Sequence, residues 1–193
     1  MDKNMEIINK INKSNILNYI EIANKLNIKK LGFNINNFEK IDDLIELIQK
    51  YKIDELFEYE IILQIDIKDL QKVKTKIKNK KVKYLYKAEK EEFVSNFKFI
   101  IKNYNYICNL ECIEKWDYFN QIRSGTNENI LRNFNENNIT IIVEFNNLMP
   151  YIHRIQQNYN LAKKFNIDFQ ICSFAKNEYE LLDENDKYAI LKF

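Results

Sequence analysis

Three acids, Asp66, Glu111 and Glu144, each follow a strand-like run of residues. Carboxylates at strand ends can hold a hard cation such as Mg²⁺ together with water. Sequence spacing leaves open whether these three converge or stand as ordinary solvated strand-end acids. Cys108 and Cys112 could start a zinc site, but zinc usually takes four ligands. The single histidine, His153, falls in a helical stretch after Pro150. With Cys172 the thiols are odd in number, and the simpler expectation is small core or strand-end cysteines. Strand ends without histidine also argue against a phosphoesterase that builds multi-metal sites from many histidines.

The basic residues suggest different chemistry. In "KDLQKVKTKIKNKK", Leu70, Val73 and Ile77 define a buried helical stripe. Lys72, Lys76 and Lys80 form one row beside it, and Lys74, Lys78 and Lys81 form another. Like charges four apart repel by roughly 0.2–0.5 kcal/mol per pair. No acid inside the run relieves them, so the expectation is a bound anion, weighed against a plain solvated face. Arg154, Lys163 and Lys164 make a line along a later helix, diluted by Gln156 and Gln157. After the strand Asp168–Cys172, Ser173 and Lys176 are expected to open a helix whose amides and lysine would attract an anion. The alternative there is a Ser173 cap beside a solvated lysine.

These groups sit on a chain whose apolar period switches repeatedly between strand and helix. Strand-like stretches are "MEIINKI", "IKKLGFNI", "EYEIILQIDI", "KVKYLYK", "YNYICNL", "ITIIVEF" and "IDFQICS". Helical stretches alternate with them: "SNILNYIEIANKL" with Ser14 as its expected cap, "FEKIDDLIELIQKY", "KDLQKVKTKIKN", "EEFVSNFKFIIKN", "NENILRNFNENN" and "MPYIHRIQQNYNLAKKF". A less regular piece contains Trp116. Parallel strands need helical crossovers. The expectation is therefore an α/β fold, either an open doubly wound sheet or a barrel. The strand count nears eight and no Gly-rich nucleotide loop follows a strand, which favours a compact (β/α) TIM-like barrel. At 193 residues this is one domain, 1–193, with abbreviated units, most naturally at the end where "DKYAILKF" supplies a short closing helix.

Composition is globular, 46% hydrophobic and 30% charged. A net charge of +2 leaves any nucleic-acid function to local clusters. Only Arg123, Arg132 and Arg154 are arginines among 30 basic residues. Together with abundant Asn and Ile, this is the bias of an AT-rich genome, in which an arginine of a motif can appear as Lys, Gln or Asn. No run approaches the roughly 18 apolar residues of a membrane span, and the start lacks the apolar core of a signal peptide. The expected location is cytoplasmic, with no membrane partner.

From Ser124 onward the order of motifs is more specific. "SGTNENIL", "ENNITIIVEFNNL" and "RIQQNYNLAKKFNIDFQICSFAKNEYELLDENDKYAIL" follow one another at consistent spacing. They resemble protein component 3 of archaeal ribonuclease P, the family that includes the thirty-kilodalton subunit of the eukaryotic enzyme. The resemblance covers roughly the last 70 residues by motif and the rest by strand–helix order, including "KLGF" at Lys30 to Phe33. The chain departs from the family at Phe174, where Gly is usual, and at Gln156 and Gln157 in place of basic residues. It departs again at Asp168 in place of Pro, and at Leu182 and Asn185 in place of Arg.

The resemblance implies a barrel-shaped, non-catalytic protein subunit of the ribonucleoprotein that removes the 5′ leader of precursor tRNA. Its implied partners are ribonuclease P RNA, protein component 2 and other protein subunits, with precursor tRNA as substrate of the whole. Catalysis and Mg²⁺ would belong to the RNA, with no cofactor on this chain. The RNA-binding candidates are then Lys72, Lys74, Lys76, Lys78, Lys80, Lys81, Arg123, Arg154, Lys163, Lys164, Ser173 and Lys176. Two rivals remain at this point: a stand-alone metal-dependent phosphoesterase using carboxylates, and a protein-only interaction barrel.

Overall fold

An α/β chain must turn each helix back into a strand, and this chain does so with 2 glycines. In the computed structural model, which describes residues 5–78, 80–118 and 122–189, asparagine takes the place of glycine. Helices α1 (Ile16–Lys25), α7 (Glu128–Glu136) and α8 (Leu148–Lys164) are each followed by a left-handed asparagine: Asn27, Asn138 and Asn166, all at φ 53°. The next residue is isoleucine every time, and its amide reaches back to a helical carbonyl: Ile28 to Ala23 (3.0 Å), Ile139 to Phe134 (2.9 Å) and Ile167 to Ala162 (2.9 Å). This is the Schellman arrangement, and asparagine tolerates it better than other non-glycine residues. The isoleucine is buried in each case and leads toward the following strand.

Among the described residues seven strands form one sheet in chain order: β1 (Met5–Ile8), β2 (Lys30–Ile35), β3 (Glu58–Gln64), β4 (Val82–Lys87), β5 (Tyr106–Cys108), β6 (Thr140–Glu144) and β7 (Phe169–Cys172). The β1–β2, β2–β3, β4–β5 and β5–β6 pairings are parallel. The crossovers also include α2 (Ile41–Lys50), α3 (Ile53–Leu56), α4 (Ile67–Lys76), α5 (Lys90–Ser95) and α6 (Phe97–Asn103), and α9 (Glu184–Ala189) follows β7. The fold class is the expected one: an α/β, TIM-like (β/α) barrel with abbreviated units. The abbreviation lies at the end, as expected. After β7 the backbone bridges from Ala175 to Ile8 of β1, then makes a 3₁₀ turn and the short α9. Residues 190–193 of the expected closing helix lie outside the described residues.

Three local expectations are corrected. Ser14 does not cap α1: the Asn12 side chain accepts from the Ser14 amide (2.9 Å) and hydroxyl (2.6 Å) and forms its own turn. The helix expected over 91–103 breaks at Asn96, whose side chain donates to the Glu92 carbonyl (3.2 Å), a local bond that competes with helix continuation. Beyond Pro150, α8 is kinked at Tyr151 (φ −126°, ψ 25°), where the sequence predicts one continuous helix.

Contacts gather the chain into two compact units, one from residues 1–64, 68–83 and 172–193, the other from 65–67 and 84–171. In the first, Ile16, Tyr19, Leu31, Phe33, Leu44 and Ile48 form the centre of the core. Gly32 of β2 packs closely there: a Cβ would lie 2.8 Å from both Ile62 Cδ1 and Met5 Sδ, and these side-chain ends would have to shift to admit it. In the second, a chain of rings runs from Tyr86 through Phe93 and Phe97 to Phe134, with centroids 5.6–6.4 Å apart.

The first unit also buries a charge. Glu6 of β1 is 1% exposed. Its carboxylate accepts from the Ser173 hydroxyl and amide and pairs with Lys187 of α9, itself 2% exposed. Burial pushes the Glu6 carboxyl above its ordinary range, against the pull of Lys187 and Ser173. Lys187→Met should lower stability by about 3–5 kcal/mol, the effect of stranding one member of a buried pair. In that variant the folded pKa of Glu6 moves further above its unfolded value, so the folded form holds the extra proton and stability falls as pH rises through the folded pKa. Denaturant titrations across pH measure this, and adding Glu6→Gln should remove the part of the pH dependence that Lys187→Met introduces.

Candidate nucleic-acid interface

The lysine helix comes first. Leu70, Val73 and Ile77 are buried, as the stripe requires. The helix itself ends at Lys76, so Lys78, Lys80 and Lys81 lie beyond it and the two long rows are not continuous. Nor is an external anion needed to relieve the repulsion. Lys80 Nζ lies 2.6 Å from Asp42 of α2, and Lys76 Nζ sits 4.8 Å from the centre of the Phe38 ring. Lys74 is half-buried, and burial lowers its pKa. The side chains left on the exposed face are Lys72, Lys76, Lys78 and Lys81.

The corner after β7 also differs from expectation. No α-helix opens at Ser173. That residue is buried against Glu6, so it is neither a helix cap nor a surface group. A 3₁₀ turn, Glu178–Glu180, follows instead, capped by Asn177. Its own acid fills the expected anion site: Glu180 accepts from the Lys176 amide (2.7 Å) and the Asn177 side chain. The Lys176 side chain remains exposed. Phe174 adopts φ 53°, a left-handed backbone at the position where the resembled family carries Gly.

Arg154 is the second displaced candidate. It does not lie in line with exposed Lys163 and Lys164, because it points into the second unit and is 5% exposed. Its guanidinium grips the irregular segment after β5. Nε donates to both Asp117 oxygens (3.0 and 3.2 Å), and Nη1 donates to the Glu111 carbonyl (2.9 Å) and the Glu114 carbonyl. One turn later on α8, buried Asn158 donates to the Ser124 carbonyl (2.8 Å) and accepts from the Thr126 hydroxyl. Gly125 between them takes φ 77°, and a Cβ there would fall 2.1 Å from the Leu110 carbonyl oxygen. The "SGT" turn is thus a fitted joint against α8. Sequence reading passed over Asp117 and Asn158, although Arg154 and Asn158 share a helical face at i, i+4.

Arg123 belongs to the same segment. Its guanidinium lies 2.8 Å from Glu114, whose carboxylate also takes Lys90 at 2.8 Å, and it stacks 4.8 Å over the Tyr118 ring. The Arg123 amide, then Arg154, hold the Asp117 carboxyl below its usual range. Beside this segment a cleft of about 780 Å³ is lined by Val94, Ile122, Arg123, Asn127 and Gln157.

The three strand-end acids do not form a site together. Among the described residues no group of three His, Cys, Asp or Glu side chains is placed to hold a metal ion. Glu111 is buried and accepts from Asn147 (2.6 Å); burial first, and then Glu144, raises its pKa. Burial, then Glu111, pushes the Cys112 thiol up to about 12. All three cysteines are free thiols.

No protein-family model and no curated protein matches the sequence. Among solved structures, the chain is similar to one in a cryo-EM structure of archaeal ribonuclease P with mature tRNA: TM-score 0.73 at 18% identity, over 97% of this chain and 81% of that one. Thiamine phosphate pyrophosphorylase from Pyrococcus furiosus gives 0.45 at 12% identity over 98% of this chain and 96% of that one. DAHP synthase from Thermotoga maritima gives 0.48 at 13% identity over 99% and 68%.

Arg154→Lys should lower the unfolding free energy by about 2 kcal/mol or more, because an ammonium cannot reproduce the fork to a carboxylate and two carbonyls. Chemical denaturation measures this, and a residue acting only at a surface would leave the midpoint unchanged. The fold is therefore shared, along nearly the whole chain, with a protein chain seen in archaeal ribonuclease P.

Proposed function

We propose that this chain is a non-catalytic protein subunit of a ribonuclease P, the ribonucleoprotein that removes the 5′ leader of precursor tRNA. In this reading it binds and stabilises the catalytic RNA with protein component 2 and other subunits, and the RNA holds the Mg²⁺. The observation that carries the reading is the likeness to a chain of archaeal ribonuclease P over 97% of the length. The motif resemblance from Ser124 onward supports it independently. Two of those motif positions, Gly125 and Phe174, have left-handed backbones, so the family's glycines fall where the backbone needs them. Among the described residues no helix is long and apolar enough to cross a membrane.

The RNA-facing groups in this reading are Lys72, Lys76, Lys78 and Lys81 near α4, Lys163 and Lys164 at the end of α8, Lys176, and Arg123. Ser173 and Arg154 serve inside the protein, and Lys80 and Lys74 are partly committed there.

Affinity capture of the tagged chain from native extract, followed by RNA sequencing, should enrich one structured RNA able to process precursor tRNA. The isolated chain should leave precursor tRNA uncut, and robust Mg²⁺-dependent cleavage by RNA-free protein would overturn the reading. If phosphates lie along the α4 face, Lys72, Lys76 and Lys81 changed together to Gln should reduce the salt slope of RNA binding by roughly three units, about one per lost contact. A parental slope would show that this face meets water.

A further inference from the structure

Trp116 is the only tryptophan of the chain and is 78% exposed; Tyr118, two residues on, is 63% exposed. The two rings flank a residue that the protein anchors. The Asp117 carboxylate between them, itself partly exposed, bonds the Arg154 guanidinium and the Arg123 amide (2.7 Å). Arg154 also holds the carbonyls of Glu111 and Glu114 just upstream. The clamp thus anchors the backbone between two exposed rings.

Charge decides what meets them. Lys115 is exposed immediately before Trp116, and Arg123 covers one face of Tyr118. The acids among them, Glu114 and Asp117, are shared by Lys90, Arg123 and Arg154. Cations therefore outnumber acids within this cluster. The cores of protein–protein interfaces are depleted of charge, whereas here Lys115 and Asp117 interrupt the aromatics. Rings interleaved with cations are what unpaired nucleotides use: bases stack on the rings and phosphates meet the cations.

We propose that Trp116 and Tyr118, backed by Arg123 and Lys115, form a stacking platform for unpaired bases of RNA. The platform extends the subunit reading above by naming the part of the RNA engaged, single-stranded nucleotides instead of duplex. No covalent step is involved.

The single tryptophan makes the test direct. The full chain is titrated with a twelve-nucleotide oligoadenylate and, separately, with a twelve-base-pair RNA duplex, following tryptophan emission and the anisotropy of labelled RNA. The oligoadenylate should quench Trp116 emission in step with binding, and the duplex should not. Trp116→Ala should weaken oligoadenylate binding roughly 5- to 150-fold, the range for losing one base–aromatic stack, and Trp116→Phe should restore most of it. The exposure of Trp116 means that neither change threatens folding. Emission unchanged while anisotropy reports saturated binding would overturn the platform, as would equal affinity for the Ala variant.

Loss of a co-purifying protein on Trp116→Ala with RNA binding intact would assign the surface to a protein and also overturn it. The two readings fail separately. Capture of the processing RNA without quenching leaves the subunit and removes the platform. Quenching by oligoadenylate without capture of that RNA does the reverse.

Discussion

A carboxylate buried in the first strand must find donors, or the strand cannot pack. Glu6 finds them at the far end of the sequence, in Ser173 just after the last strand and in Lys187 on the last helix. The Cys172 thiol adds a contact to the Met5 carbonyl (3.2 Å), and the Ala175 amide bonds the Ile7 carbonyl (2.8 Å). This polar junction ties the residues after β7 to β1. It also explains why the corner after β7, which looks like a working site by position, is mostly structural. Its serine hydrogen-bonds a buried acid, and its turn amide is taken by Glu180.

A similar logic governs the second unit. Parallel strands and their helices bury apolar faces without help, but the stretch between β5 and α7 has no period of its own. It is held by polar groups on one face of α8. Arg154 gathers Asp117 and two carbonyls, and Asn158 gathers the Ser124–Thr126 turn. A buried guanidinium is suited to this because its planar fork satisfies several acceptors at once. The same clamp that orders the loop leaves its aromatic residues outside.

The lysines divide along the same line between internal and external use. Lys80 relieves the lysines' mutual repulsion locally beside Asp42, and Lys76 does so in part over the Phe38 ring while its side chain stays exposed. A lysine-rich face is therefore weaker testimony for a bound polyanion than its sequence suggests, and only the lysines with open surroundings carry that argument.

The sequence by itself determined the element order, because burial periodicity is local and each strand and helix repeats it many times over. It also determined the buried stripe Leu70–Val73–Ile77 and the special standing of position 174, where a Phe occupies left-handed backbone. The resemblance carried by "SGTNENIL" and the residues after it pointed to the assembly in which a similarly folded chain is found. Tertiary structure alone decided which polar residues face inward or pair with a distant side chain at the surface. Arg154, Ser173 and Lys80 look from sequence like surface groups. Their partners Asp117, Glu6 and Asp42 lie 37, 167 and 38 positions away, and no local pattern encodes a pairing at that range. The break at Asn96 likewise turned on local competition for hydrogen bonds, where the apolar period alone would have continued the helix.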